Sequence, residues 1–362
     1  MKLAVISLGK ESSQNIGEEA KNYFRDVKML DLRKVEVHAT SKSLNVLYDG
    51  EELDHYDSIY IRGSYKYAIL QRSITEALHF HTYMPLSPKS FTLGHNKFLT
   101  MLHLQEKNVP IPTTYLVETV TGAKKLLEKV NYPIIMKIPS GTQGKGVMFA
   151  DSIASAKSIL DTLEVFKQPY IIQEYVETNA TDIRAIVVDS KVVASMRRKA
   201  LSDELRANIH MGGIGVSCEL DEETEEIAIR SAKAIGAEVC AVDILEGNKP
   251  MVIEVNLSPG LDGITKATKK NVAKIIAEYL HKKANEFKET RKSDDYSKII
   301  STLDTETDRK EIITNLDIKA GIIKLPKLMT KITGFNQEDE IMIIANKGKL
   351  IIKKHIIGRE VK

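Results

Sequence analysis

The chain has 362 residues, and its 52 Lys and Arg stand against 49 Asp and Glu, so the net charge of +3 gives no ground for a polyanion-binding surface. With 43% hydrophobic and 28% charged residues it reads as a soluble globular protein long enough for two or three domains. Its 2 cysteines, Cys218 and Cys240, exclude a disulfide framework. No run approaches the roughly 20 apolar residues that cross a bilayer, and a cytoplasmic location without a membrane span is expected.

Residues 1–86 alternate apolar runs ("KLAVISL", "DVKMLDL", "SLNVLYDG", "SIYIRGS") with polar stretches, the pattern of a small α/β layer. "MPLSPKSFTLG" brings prolines and a turn and marks a boundary. From Asn96 the pattern is helical, becomes a strand at "PIIMKIP", a loop at "SGTQGKG" and a strand again at "VMFA". A helix capped by Asp151 or Ser152 follows. "PYIIQEYV" is an apolar strand, and "DIRAIVVD" with "KVVASMRRK" forms a hairpin. "DEETEEIAIRSAKAIG" is an amphipathic helix with acids in its first turn and Gly236 at its end. A helix from about Thr265 to Phe287 precedes the polar stretch "KETRKSDDYSK", taken as the start of a linker at 288–310. The last stretch, 311–362, has short strands and turns and is expected to be a small all-β module.

Three stretches can carry chemistry. In "VDILEGNKPMVIEVNLSPGLDG", Glu254 and Asn256 are two apart in a strand and share a face, which Asp243 on the neighbouring strand can reach. Two carboxylates and an amide oxygen suit Mg²⁺, and a carboxylate paired with Lys or Arg is the equal alternative. In "MKIPSGTQGKG", Lys137 precedes a loop with Gly141, Gly144 and Gly146, whose backbone N–H groups can approach a phosphate. The spacing is neither a Walker loop nor a dinucleotide fingerprint, and an ordinary turn is the competing reading. In "SMRRKALSDELRANIHMGG", Arg197, Arg198, Lys199, Arg206 and His210 gather positive charge able to bind phosphate or carboxylate, against the plainer reading of a solvated basic loop. His79 and His81 have no third ligand nearby and are read as structural.

The ordered series "HNKFLTMLHLQ", "GTQGKGV", "IIQEYVE", "DIRAIVV", "RANIHMGG", "VDIL" and "IEVNLSPGLDGI" resembles the ATP-grasp superfamily, and within it the RimK-like amino-acid ligases, over about residues 1–285. The resemblance implies an α/β (α+β) ATP-grasp fold. An N-terminal α/β domain would occupy 1–86 and the ATP-grasp domain 87–287, with a lid at about 97–175 and a catalytic part at about 176–287. It implies that Lys97 and Lys137 contact ATP phosphates under the loop of Gly141, Gly144 and Gly146. Gln173, Glu174 and Tyr175 would border the adenine, and Asp182 would sit near the nucleoside end. Arg206 and Asn208 would address phosphates and the reacting carboxylate. Ala207 replaces the serine or similar small residue of the family pattern and would contribute through its backbone. Asp243, Glu254 and Asn256 would hold two Mg²⁺ (or Mn²⁺) ions, with Lys137 and Arg206 as the catalytic cations. Arg184, Arg197, His210 and Ser258 would face the substrate, the arginines suiting an acidic acceptor.

The implied reaction is ADP-forming. A carboxylate, on a protein C-terminus or coenzyme tail, is phosphorylated by ATP, and an amine, that of L-glutamate, displaces phosphate. "AGIIKLPKLMTKITGFNQEDEIMIIANKGKLIIKK" resembles an AbrB-like swapped-hairpin domain through Leu325–Pro326–Lys327, the acidic turn at Glu338 to Glu340 and "KGKLIIKK". That implies a homo-oligomer (dimer or tetramer) or nucleic-acid binding. The alternative function is a DNA-binding regulator that senses a nucleotide or amino acid.

Overall fold

The computed structural model describes residues 1–139, 146–199, 214–302, 317–319, 322–324, 333–336, 338–347 and 349–355. Met1–Phe287 forms one compact unit and Lys288–Lys362 a second.

The first unit opens with β1 (Lys2–Ser7), α1 (Glu11–Ala20), β2 (Asp26–Asp31), the small antiparallel sheet β3 (Val35–Ala39), β4 (Leu44–Tyr48) and β5 (Glu51–Glu52), and then β6 (Ser58–Ile61). β1 pairs in parallel with both β2 and β6. Leu3, Ala4, Val5 and Ile6 are all fully buried, which is why this strand is apolar throughout rather than alternating. With β1 central in the order β2-β1-β6, the chain leaves β1 toward β2. It leaves β6 toward the opposite side, where Tyr83 bridges Ser58 in parallel, so the carboxyl ends of β1 and β6 flank a switch point.

Next come α2 (Ala68–Leu78), α3 (Pro88–Gly94) and α4 (Lys97–Glu106). Asn96 caps α4, its Oδ1 accepting from the Phe98 and Leu99 N–H groups at 3.0 and 3.1 Å, and so fixes Lys97 in the first turn.

A four-stranded antiparallel sheet follows, in the order β7-β10-β8-β9. It is built from β7 (Thr114–Leu116), β8 (Ile134–Lys137), β9 (Val147–Ala150) and β10 (Ile171–Glu174), with α5 (Val120–Leu127) and α6 (Ile153–Val165) between them. Ser152 caps α6 in a capping box with Ser155. This sheet has its own core, in which Ile134, Met136 and Ile172 meet Leu127 and Leu160. The two-residue period of the strands therefore turns Ile135, Lys137 and Gln173 to the other face.

The largest sheet has the order β13-β12-β11-β14-β15. Its strands are β11 (Thr181–Val188), β12 (Lys191–Lys199), β13 (Ile214–Ser217), β14 (Val239–Glu246) and β15 (Pro250–Asn256), and α7 (Glu222–Ile235) joins β13 to β14. The β11–β12 hairpin turns at Asp189 and Ser190, Asp189 taking φ 61°. Gly236 closes α7 at φ 77°, and a Cβ there would lie 2.3 Å from the Ser87 Oγ, so glycine is required.

The helix expected over about 265–287 is two, α8 (Asp262–Thr268) and α9 (Val272–Thr302), separated at Lys269, which has φ 59°. The helix also continues to Thr302, through residues expected to begin a linker. "KETRKSDD" contains no Gly or Pro and is rich in helix formers, so polarity alone did not end it.

In the second unit, β16 (Asp317–Lys319) pairs with β17 (Ile322–Lys324), and β18 (Ile341–Asn346) with β19 (Lys349–Lys354). Leu325, Pro326 and Lys327 lie outside the described residues. Among the described residues no helix is long and apolar enough to cross a membrane.

Candidate active site

A cleft of about 530 Å³ lies between the four-stranded and five-stranded sheets, within the 300–1,000 Å³ typical of small-molecule sites. Ile135, Lys137, Val147 and Gln173 line it from the first sheet, and Asp182, Arg184, Asp243 and Glu254 from the second. The strand period explains this choice. Residues one position away, such as Met136 and Val242, are buried in the cores behind each wall.

On the acidic wall, Asp243 and Glu254 are direct cross-strand partners, and a register shift follows immediately. Asn256, two residues beyond Glu254, joins them in the lining. With its oxygen accepting from Arg184 at 3.2 Å, the Asn256 amide nitrogen donates to Glu254 at 3.3 Å. Asp243 is 3% exposed and receives the Arg184 guanidinium through two bonds of 2.8 and 2.7 Å. Arg198 reaches the same carboxylate at 3.1 Å and also grips Asp182 at 2.6 and 2.7 Å. Burial opposes ionisation of Asp243, yet Arg184 and Arg198 hold its pKa below the ordinary value. For Asp182, burial prevails and the pKa is raised, because one guanidinium serves two carboxylates.

Among the described residues no guanidinium forks onto Glu254. Burial and the neighbouring Asp243 raise its pKa, and Lys97, Arg184 and Lys137 offset this only in part. Across the cleft, burial lowers the Lys137 pKa to about 8; Glu254 pulls it up and Lys97 pushes it down. The Lys137 ammonium donates to Gln173 Oε1, and Gln173 donates in turn to Thr114 at 2.8 Å. Burial also drives the His95 pKa down to about 4, and its Nε2 has no hydrogen-bond partner among the described residues.

The donor set fits a hard divalent cation. Asp243, Glu254 and Asn256 are oxygen donors on adjoining strands, and burial together with Asp243 raises the Glu254 pKa. Arg184 already binds both oxygens of Asp243 and the Asn256 oxygen, which is the ion-pair alternative, so a cation there competes with that guanidinium.

The structure brings Lys97, Lys137, Gln173, Glu174, Tyr175, Asp182, Arg184, Asp243, Glu254, Asn256 and Ser258 into the cleft lining. Ser258 accepts from the Gly63 N–H at 3.0 Å. Gly146 stands at φ 78° with its carbonyl bound by the Ile138 N–H, whereas Gly141, Gly144, Arg206, Ala207, Asn208 and His210 lie outside the described residues. Arg197 is a correction. It neighbours Arg198 on β12 and so projects to the opposite face, where it forks onto Glu246 at 2.6 and 2.7 Å. Sequence reading also passed over a third wall from the N-terminal sheet, which includes Lys10, Ser12, Ser13, Arg62 and Tyr65. The one signal for it was a charged residue abutting the apolar run "SIYIRG".

Residues 94–280 match the sequence model of the RimK-like ATP-grasp domain. A protein of Picosynechococcus sp. described as a probable alpha-L-glutamate ligase is 32% identical over 290 residues, 78% of this chain and 96% of its own length. Among solved structures, the ATP-grasp ligase PsnB complexed with minimal precursor, Mg and ADP superposes with a TM-score of 0.61 at 15% identity, covering 78% of this chain and 98% of that one. The D-alanine–D-alanine ligase from Bacillus anthracis complexed with ATP gives 0.57 at 16% identity, covering 80% and 99%. The family match and these relatives make the chain an ATP-grasp ligase, in which two antiparallel sheets face each other with a lysine on one wall and paired carboxylates on the other. Within that class, the chain belongs to the RimK-like ATP-grasp family.

Proposed function

We propose that this chain uses ATP and Mg²⁺ to join the amine of L-glutamate to an acceptor carboxylate on a protein C-terminus or coenzyme tail. One observation carries the reading: Lys137 faces the Asp243–Glu254–Asn256 set across a cleft large enough for a nucleotide. The relative's name, probable alpha-L-glutamate ligase, points to the amino acid.

Ile135, Val147, Leu245 and Ile253 give the cleft an apolar slot for a planar base, beside Tyr175, whose ring meets Phe149 edge-on at 5.3 Å. Lys137 and Lys97 would neutralise phosphate oxygens, and the fixed Gln173 bond would hold the Lys137 ammonium in place. Asp243, Glu254 and Asn256 would hold Mg²⁺, which when bound supplies charge neutralisation and Lewis acidity toward phosphoryl oxygens. An acceptor carboxylate oxygen attacks the γ-phosphorus as the bond to ADP breaks. The glutamate amine then attacks the acyl carbon, the carbon–oxygen bond to phosphate breaks with its electron pair on phosphate, and the nitrogen gives up a proton to phosphate or solvent. No side-chain nucleophile is needed; the walls orient the reactants and exclude water. Cell extract incubated with the protein, ATP, Mg²⁺ and isotopically labelled glutamate should yield a labelled product by mass spectrometry, together with ADP. Neither appearing would end this reading.

The Lys137 pKa gives a pH prediction. Free enzyme loses the Lys137 proton as pH rises through about 8, whereas bound phosphate favours the charged form. Nucleotide affinity should therefore fall above that pH, by up to about tenfold per unit. Titration calorimetry across pH 7–10 would show the slope, and Lys137→Met should flatten it.

The β18–β19 hairpin leaves Ile341, Met342, Ile343, Ile344 and Leu350 41–56% exposed. A lone two-stranded hairpin is marginal in water, so a second copy of the chain is the proposed cover. Ile343→Asp should shift the protein to monomer in light scattering with glutamate-dependent ADP release retained; an unchanged mass would exclude this surface.

A further inference from the structure

Arg62 follows the last residue of β6, at the carboxyl edge of the parallel N-terminal sheet, and its N–H donates to the Ile6 carbonyl at 2.8 Å. This is the switch point between β1 and β6, where open α/β sheets receive ligands. The side chain is 4% exposed yet lines the cleft. Its Nε donates to Ser13 Oγ at 3.0 Å, one terminal nitrogen to Tyr60 Oη at 3.1 Å, and the other to the Pro259 carbonyl at 2.6 Å. The guanidinium also lies 5.4 Å from the centre of the Tyr60 ring.

Every one of these partners is neutral. Among the described residues no carboxylate comes within ion-pair distance of Arg62, whereas Arg184 and Arg198 in the same cleft are each forked onto one. Each terminal nitrogen of Arg62 carries two N–H groups and uses one among the described residues, which leaves two donors and the positive charge buried beside the cleft. Such a charge is expensive without an anion, and two parallel N–H groups match a carboxylate. Glu11 and Asp262 line the same end of the cleft. They disfavour a polyanion there and suit a zwitterion, whose ammonium they can attract.

We propose that Arg62 binds a carboxylate of the amino-acid substrate, so that the amino acid delivering the amine sits on the N-terminal sheet. This rests on the function proposed above. The acceptor carboxylate loses its charge when phosphorylated and belongs at the phosphate end. A glutamate carboxylate keeps its charge through the reaction and needs a permanent counter-charge, which Arg62 provides. The Ser13, Tyr60 and Pro259 bonds hold the fork in position.

The test is calorimetric titration of L-glutamate into full-length protein saturated with Mg²⁺ and ADP, for wild type, Arg62→Lys and Arg62→Met. Arg62→Met should weaken glutamate binding by about 30- to 5,000-fold, the range for removing one partner of a buried charge pair, and Arg62→Lys by less. ADP affinity should stay within about twofold in both, which a general loss of folding would not allow. L-Glutamine and 4-aminobutyrate each lack one of glutamate's carboxylates. Wild type should discriminate against at least one of them, and Arg62→Met should erase that difference. Wild type that binds glutamate no better than Arg62→Met, with ADP binding intact in both, overturns the role of Arg62 alone. Wild type that binds no glutamate at all overturns the glutamate reading and this proposal with it.

Discussion

Replacing Glu254 with Gln should lower glutamate-dependent ADP release by about a thousandfold, the scale of losing one strong electrostatic contributor to a transition state. The substitution keeps the shape and removes one negative charge from the wall facing Lys137. Its effect on folding should run the other way. Glu254 is a recessed carboxylate whose raised pKa records that the folded state resists its charge. A neutral amide at that position should leave the melting temperature unchanged or raise it. Activity and stability then move in opposite directions, which no misfolding account reproduces. A coupled ADP assay and a thermal melt on the same preparation decide the matter. Turnover within about tenfold of wild type would remove Glu254 from the charge-handling machinery.

What the sequence could reveal follows from the range of each physical rule. The two-residue period of a strand is local, so Glu254 and Asn256 could be assigned to one face from spacing alone, with Asp243 as their neighbour; the ladder pairs Asp243 with Glu254. The Gly236 stop and a cap at Asp151 or Ser152, of which Ser152 is the one found, were readable for the same reason, since a helix end is decided within a few residues. Cross-strand register is not local. That Asp182 lies opposite Arg198, and Arg184 opposite Asp243, depends on how three strands align, and the basic run "MRRK" gave no sign that Arg198 faces inward while Arg197 faces out. The N-terminal wall is remoter still. Arg62 meets Pro259 across 197 positions, and nothing in "YIRGS" announces that partner. The division of the chain between Phe287 and Lys288 was readable as a change to a polar stretch, but that stretch is not a structureless linker at its start, because an unbroken run of helix formers extends α9 to Thr302.

Arg198→Met should cost the fold about 3–5 kcal/mol, the penalty for stripping the partner from a buried ion pair. Arg198 is 4% exposed and Asp182 8%, so water cannot easily replace the two bonds of 2.6 and 2.7 Å. Asp243 suffers less, because Arg184 still grips both of its oxygens. In the variant, Asp182 escapes the penalty only by taking up a proton, which raises its folded pKa further above the unfolded value. A group shifted in that direction stabilises below its unfolded pKa, and the contribution is lost as pH rises through the folded one. The deficit against wild type should therefore be largest near pH 8 and shrink toward pH 5, visible as a narrowing gap in melting temperature. Asp182→Leu combined with Arg198→Met removes both charges and should recover most of the loss, as apolar replacements of buried pairs do. Recovery of folding without recovery of ligase turnover would mean that the pair shapes the nucleotide end of the cleft as well as the sheet. A single-variant loss below about 1 kcal/mol would show instead that Asp182 finds solvent or another cation once Arg198 is gone.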